Sequence, residues 1–576
     1  MTVPPNTPSP PPWSWSLIKV GLGPALGAVA LAVLPALTGM PTQAAAVAGL
    51  ALWMAMWWMT EALPLAATAL LPIVVTPLID FADLPPRPGE TVAVVIDESD
   101  GKSLRYRAEV LPRPENAAAD LVAVDASDLP NDSPFENSEG GILVPRARIQ
   151  PWGETPSPIV RALTPYADRF IFLFLGGFMV ARGIERWQLH RRAAIYVMSS
   201  VGSSPALLIA GAMLVTAAMS MWLSNTATTL VMLPVAVSLT EPLSGSTSPR
   251  TGNGFRAAML LSIAYASTMG GLMTPIGTPP NALLIKQLAD HGYEIGFGRW
   301  MLFAKPLSIT MLVITWFVLT RVVFQVARQR DPRAEAELAQ LRQSLGPLSR
   351  GEWLAGSVFA AVACGWVLRG PIADAFATSW PSLGAWLERW HDATVAIAGA
   401  IVMFALPVSV RPWRAVLNWD EAKTIPWDVL LLFGGGLCLS RSIEASSLDL
   451  YLGQLLTGLS NVPPWIMIAA IALLITFLTE LTSNMATAAL FLPIAATLGY
   501  TLADSGASPG LLMVPAALAA SCAFMLPVAT PPNALVFAGG GVRIKDMTRA
   551  GLILNLAGAA LIAIWVTWVG RPFLGL

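Results

Sequence analysis

Apolar runs of about 20 residues recur along the chain, separated by polar, Pro-rich or Arg-rich breaks, and a run of that length is what an α-helix needs to cross a bilayer. Taken in order, they predict spanning helices near 17–38, 43–61, 63–80, 166–186, 255–276, 301–325, 353–370, 392–409, 426–444, 510–528 and 549–571. Two further apolar stretches, 204–242 and 464–502, have a different pattern: each carries a Ser-Asn pair at its centre, Ser224-Asn225 and Ser483-Asn484. Each predicts two helices joined by a polar tip. Hydropathy alone leaves open whether such a pair crosses twice or dips in and returns as a re-entrant hairpin. The expected fold class is an all-α polytopic membrane protein of about 11 transmembrane helices plus two re-entrant hairpins.

The segment 81–160 interrupts this pattern. It is Pro-rich and holds 14 Asp/Glu against 7 Lys/Arg. Within it, TVAVVIDESDGKSLRYRAEV alternates around Asp100-Gly101, the signature of a β-hairpin. A small water-exposed, β-containing insert is predicted there. The first 16 residues are Pro/Ser-rich without the basic start of a signal peptide, and predict a disordered tail before a retained first helix.

Composition agrees with the pattern: 55% of residues are hydrophobic and 12% charged, about half the charge of a soluble domain. A net charge of −1 gives no argument for nucleic acid. The three cysteines and three histidines are dispersed, so neither a disulfide framework nor a zinc site is expected. No HExxH, Cys/His cluster or Walker sequence occurs, which argues against a metalloenzyme and an ATP-driven pump. No organic cofactor is expected.

Basic residues choose the side. Arg186, Arg191 and Arg192 follow the fourth predicted span; Arg328, Arg330, Arg333, Arg342 and Arg350 lie between the sixth and seventh. Arg411, Arg414 and Lys423 lie between the eighth and ninth, and Arg543, Lys545 and Arg549 precede the last. All four groups fall on one face, cytoplasmic by the positive-inside rule, which places the insert outside the cell membrane. The expected organisation is a tail (1–16), three spans (17–80), the insert (81–160), a first repeat core (161–325), a cytoplasmic linker (326–352), two spans (353–425) and a second repeat core (426–576).

Three landmarks are duplicated in order. FLGGFMVARGIE (174–185) matches FGGGLCLSRSIE (433–444), and SNTATTLVMLP (224–234) matches SNMATAALFLP (483–493), both at an offset of 259. GTPPNAL (277–283) matches ATPPNAL (529–535) at an offset of 252. Five predicted spans separate the starts of the two copies. Five is odd, so the copies enter the membrane in opposite senses, which is the pointer to a secondary transporter with its site near the midplane.

Irregular backbone survives at membrane depth only where it lines a polar cavity. Proline in Thr278-Pro279-Pro280-Asn281 and Thr530-Pro531-Pro532-Asn533 removes a donor and disfavours helix in the preceding residue. The carbonyls and hydroxyls so freed suit a hard monovalent cation, and helix N-termini suit an anion.

These paired motifs, with WMTEALPLAATALLP (58–72) and SIAYASTMGGLMTPIGTPPN (262–281), resemble the divalent-anion/sodium symporter family over nearly the whole chain outside the tail and insert. The resemblance implies Na⁺-coupled uptake of a di- or tricarboxylate. It also implies a homodimer in the plasma membrane, with a scaffold part and a transport part that moves like an elevator. By the same resemblance, a first Na⁺ site would use Ser220, Ser224, Asn225 and the Gly277 carbonyl, and a second Thr479, Thr482, Asn484 and the Ala529 carbonyl. Substrate carboxylates would meet Ser224, Asn225, Thr226, Thr278 and Pro279 from one half, and Ser483, Asn484, Met485, Thr530 and Pro531 from the other. Met485 departs from the family, which has threonine there; losing that hydroxyl opens the pocket to a longer, asymmetric or partly apolar anion. Sulfate transport, proton coupling and exchange on the same fold stay open. So does a receptor role for the insert. Among buried charges, Glu480 has no counterpart in the first half, where Met221 stands, and is expected to be a structural partner. Glu61, Arg182, Glu185, Arg441 and Glu444 fall near predicted helix ends, where snorkelling or pairing accounts for them.

Overall fold

The computed structural model describes residues 13–79, 81, 91–97, 103–111, 121–125, 135–138, 141–145, 148–151, 157–244, 249–327, 332–449, 451–452, 462–503 and 506–576. Most of the tail and the Asp100-Gly101 turn lie outside that set. The chain opens with two packed helices, α1 (Trp13–Thr38) and α2 (Thr42–Thr60). The third predicted span is not one helix. Pro64, Pro72 and Pro77 divide it into α3 (Leu65–Thr68), α4 (Leu71–Val75) and a 3₁₀ turn (Thr76–Leu78), because each proline lacks the N–H an uninterrupted helix needs.

The insert is a β module. β1 (Thr91–Asp97) pairs antiparallel with β2 (Ser103–Glu109), Asp97 opposite Ser103, as the alternation predicts. β3 (Leu121–Val124), β4 (Glu136–Ser138), β5 (Gly141–Pro145) and β6 (Ile149–Pro151) complete two three-stranded sheets, β2-β1-β6 and β3-β5-β4. Val94, Ala108, Val110, Val122, Val124, Ile142 and Val144 close a small core separate from the main one.

After α5 (Pro158–Leu163) come α6 (Arg169–Arg186), the amphipathic α7 (Leu189–Val201), and the first apolar pair, α8 (Pro205–Ser220) and α9 (Asn225–Ser244). The predicted fifth span is interrupted where TPPN stands: α10 (Pro249–Leu272) stops, and α11 (Pro279–Asp290) starts afresh. α12 (Phe297–Phe317) ends in a π turn, Val318–Val323. α13 (Pro332–Ser344) makes the predicted linker partly helical; α14 (Arg350–Ser379), α15 (Pro381–Glu388), α16 (Asp392–Ala405), the hairpin β7 (Pro407–Val410) and β8 (Trp413–Ala415), and α17 (Trp419–Ala422) follow.

The second copy repeats the plan. α18 (Trp427–Ala445) precedes the pair α19 (Pro464–Leu478) and α20 (Asn484–Thr501); α21 (Pro509–Ala520) breaks before α22 (Pro531–Ala538). α23 (Ile544–Trp565) ends, like α12, in a π turn, Val566–Gly570, and α24 (Arg571–Leu574) closes the chain. Among the described residues, four helices are long and apolar enough to cross a membrane alone: Leu17–Thr38, Phe297–Val323, Arg350–Phe376 and Ile544–Leu574. Shorter apolar helices, such as Pro205–Ser220 and Pro464–Leu478, begin at a proline and end at a Ser-Asn tip.

The two copies are interleaved. A methyl group on Gly176 in α6 would fall 2.5 Å from the Ala396 backbone in α16, and one on Gly435 in α18 would fall 2.3 Å from the Ala69 carbonyl after α3. Each duplicated Gly-Gly thus permits close backbone approach to a segment from the other half of the chain. Likewise α11 packs on α20, and α22 on α9. The broken arm of each half lies against the hairpin of the other.

Candidate functional site

The site grows from four interruptions in otherwise continuous helix. In the first half, α8 ends at Ser220 and α9 begins at Asn225, with Ser224 Oγ accepting from Ala227 N at 3.2 Å as its cap. Ser220 Oγ donates to Asn225 Oδ1 at 2.7 Å. In the second half, Thr479 Oγ1 is 2.9 Å from Asn484 Oδ1. Positions 220 and 225 map onto 479 and 484 at the offset of the repeat, so one hydroxyl–amide contact is built twice. Thr479 Oγ1 also lies 2.7 Å from the Ala520 carbonyl at the end of α21.

The TPPN asparagines repeat in the same way. Asn281 Nδ2 reaches the carbonyls of Gly271 (3.3 Å), Leu272 (3.1 Å) and Thr274 (2.9 Å), and Asn533 Nδ2 those of Ala523 and Leu526, both at 3.1 Å. At the offset of 252, Gly271 maps onto Ala523 and Thr274 onto Leu526. Each asparagine therefore ties off carbonyls that the broken helix has freed, which buried backbone requires. Both asparagines are fully buried, and both Oδ1 atoms lack a hydrogen-bond partner among the described residues. Sequence reasoning passed over them; the signal was present, since Asn is the one side chain in TPPN with two N–H donors, enough to tie off more than one freed carbonyl.

Around the first break the oxygens converge. A methyl group on Gly271 would lie 2.7 Å from Asn225 Oδ1 and 2.9 Å from the Gly277 carbonyl. These are two of the oxygens implied for the first Na⁺ site, brought to one small cradle that only glycine leaves empty. A neutral cradle of carbonyl, amide and hydroxyl oxygens suits a hard alkali cation. Thr274 Oγ1 donates to the Met221 carbonyl at 2.5 Å and accepts from Gly277 N at 3.0 Å, holding that carbonyl in place.

The second break is held differently. Glu480 Oε1 accepts from Phe524 N (2.7 Å), Met525 N (2.8 Å) and Asn555 Nδ2 (2.7 Å), and Oε2 accepts from Leu526 N (3.0 Å). Four donors and no acceptor surround the carboxylate, an arrangement that satisfies the ionised form. The structural role expected for Glu480 is the one this geometry supports. Tyr265 Oη, from α10 of the other half, adds a bond of 2.8 Å to the Phe524 carbonyl.

The other implied residues divide by exposure. Ser224, Asn225, Thr226, Ser483 and Asn484 are half-buried at the tips. Thr278 and Thr530 are buried at the N-termini of α11 and α22, where Thr530 Oγ1 caps Asn533 N at 3.3 Å. Pro279 is half-buried, Pro531 exposed and Ala529 buried. Thr482 Oγ1 lies 2.5 Å from Thr487 Oγ1. Met485 is buried where its repeat mate Thr226 is half-exposed. Of the other charges, Lys286 is buried beside Asp168 Oδ2 (3.7 Å) and pairs with Asp290, while Arg182 pairs with Glu185 at 2.6 Å. Among the described residues no cluster of His, Cys, Asp or Glu could hold a metal ion.

Broken helices with neutral oxygen-rich tips, duplicated and interleaved within an apolar helical body, define a membrane transporter rather than an enzyme. The comparisons agree: the family model described as the sodium:sulfate symporter transmembrane region matches residues 24–576, and the chain belongs to that family. Among curated relatives it is similar to the sodium-dependent dicarboxylate transporter SdcS of Staphylococcus aureus strain USA300, 33% identical over 549 residues that cover 93% of this chain and 88% of that one. The protein of the same description from strain bovine RF122 / ET3-1 matches at the same identity and coverage. Among solved structures, the YdaH transporter of Alcanivorax borkumensis superposes with a TM-score of 0.52 at 14% identity, covering 91% of this chain and 98% of that one, a likeness of fold.

Proposed function

We propose that the protein imports a di- or tricarboxylate of the succinate, malate and fumarate class together with Na⁺, as a homodimer in the plasma membrane, the insert lying outside the cell. Its hairpins and broken helices move as a unit against the remaining helices, elevator-fashion. The observation that carries this reading is the twofold occurrence of one contact, Ser220 to Asn225 and Thr479 to Asn484, each beside the freed carbonyls of a broken helix. Two Na⁺ ions would sit at these places, one with Ser220, Ser224, Asn225 and the Gly277 carbonyl, the other with Thr479, Thr482, Asn484 and the Ala529 carbonyl. The anion would lie between the tips, against Ser224, Asn225, Thr226 and Thr278 on one side and Ser483, Asn484, Thr530 and Pro531 on the other. The description of the SdcS relatives supports both the cation and the substrate class. Coupling follows from linkage: Na⁺ that orders the Ser-Asn tips raises anion affinity, and the anion raises Na⁺ affinity equally.

The family description names sulfate, so sulfate is the competing substrate. The test is thermal stability of the purified protein with succinate, malate, fumarate, citrate or sulfate, each in Na⁺ and in choline. A stabilisation by dicarboxylate that appears only with Na⁺ is the expected result. Stabilisation by sulfate alone, or equal shifts in both cations, overturns the assignment.

A further inference from the structure

We propose that the cavity between α5 and α18 is a binding site for an anionic phospholipid. The cavity is of about 290 Å³ and is lined by Phe81, Pro158, Ala162, Pro165, Cys438 and Ala445, with Arg161 and Arg441 among its walls. That volume is near the lower end of ligand-sized pockets, about 300 Å³.

The donors in this cavity decide the ligand. Its three hydroxyls are already spent on their own helices: Thr76 Oγ1 donates to the Pro72 carbonyl (2.8 Å), Thr164 Oγ1 to Val160 (2.8 Å) and Ser442 Oγ to Cys438 (2.7 Å). The two guanidinium groups are not spent on any described residue. Neither Arg161 nor Arg441 has an ion-pair or hydrogen-bonding partner among the described residues, and both side chains are exposed. The repeat makes Arg441 conspicuous. Its mate Arg182 is bound to Glu185 Oε2 at 2.6 Å and to the Thr424 carbonyl at 2.8 Å, so the same position is satisfied in one copy and left open in the other.

The surroundings say what kind of anion. Val74, Leu78, Ile159, Val160 and Leu163, on the elements that form the cavity, are exposed apolar side chains, and Leu78 is 82% exposed. Exposed apolar side chains gathered on such elements of a membrane protein face lipid. A ligand that enters from lipid, covers apolar wall and presents a negative head to two unpaired guanidiniums is a phospholipid with an anionic headgroup. Arginine meets phosphate oxygens in a bidentate geometry, and basic pockets between membrane helices hold such headgroups.

The test uses the full chain, delipidated and returned to vesicles of phosphatidylcholine alone or with phosphatidylglycerol. Native mass spectrometry reads retained lipid, and thermal unfolding reads stabilisation. Wild-type protein is expected to retain phosphatidylglycerol in preference to phosphatidylcholine and to unfold at higher temperature with it. The double variant Arg161→Gln/Arg441→Gln should lose that preference by roughly tenfold or more. The exposed Arg389→Gln should keep it, and succinate-dependent stabilisation, which reads the transport site, should persist in all three. Equal phosphatidylglycerol retention in the double variant overturns the proposal. So does a stabilisation by glycerol 3-phosphate or succinate, without lipid, that the wild type shows and the double variant lacks, or protection of both arginines by a second copy of the chain.

Discussion

Replacing Glu480 with glutamine changes one atom of a buried side chain and nothing of its volume. The carboxylate receives Phe524, Met525 and Leu526 N–H together with Asn555 Nδ2, four donors within 3.0 Å. In Glu480→Gln the remaining oxygen best keeps the three donors now on Oε1, so the new NH₂ points at Leu526 N. Losing a charge-assisted bond costs about 1.5–3 kcal/mol, and leaving that buried N–H unpaired costs about 1–3 kcal/mol more. A loss of about 3–5 kcal/mol is expected, borne by the turn that leads into Ala529 and Thr530. The assay is Na⁺-dependent thermal unfolding in detergent, followed by flux in proteoliposomes across pH. The variant should unfold earlier and need at least tenfold more Na⁺ for the same anion-induced stabilisation. Wild-type stability with wild-type Na⁺ dependence would refute the argument. So would flux that keeps its rate and merely loses pH dependence, the behaviour of a proton carrier.

Gly271→Ala places a methyl group 2.7 Å from Asn225 Oδ1 and 2.9 Å from the Gly277 carbonyl, filling the first cradle. Flux should fall at least a hundredfold while the purified protein stays folded; unchanged Na⁺ dependence would move the cation elsewhere. Asn225→Ala and Asn484→Ala should each remove Na⁺-dependent anion binding, because each deletes the amide oxygen that the neighbouring hydroxyl meets; wild-type flux in either would defeat the assignment. Met485→Thr restores the hydroxyl of the first-half triplet and should strengthen succinate binding severalfold, read by titration; no change would remove Met485 from the pocket.

Local pattern made much of this molecule legible. The insert's hairpin followed from strict alternation, the two tips from Ser-Asn in the middle of apolar sequence, and the broken helices from paired prolines, since each of these acts through neighbours in the chain. Repetition carried more, because two copies at offsets of 259 and 252 imply two similar local structures before either is seen. Periodicity misjudged the third span, where hydropathy is high but Pro64, Pro72 and Pro77 stop the helix, and it carried the fifth and tenth spans to 276 and 528, past the helix ends at Leu272 and Ala520. Only the tertiary structure decided who holds what. Glu480 meets a turn 44 residues away, and Tyr265 reaches the Phe524 carbonyl across 259 residues. Such contacts depend on how the two halves pack, and hydropathy is blind to them because burial rewards apolar area without direction. Hydrogen bonds are directional, so which buried oxygens converge at Gly271 and which are tied off by Asn281 and Asn533 is settled by the fold alone.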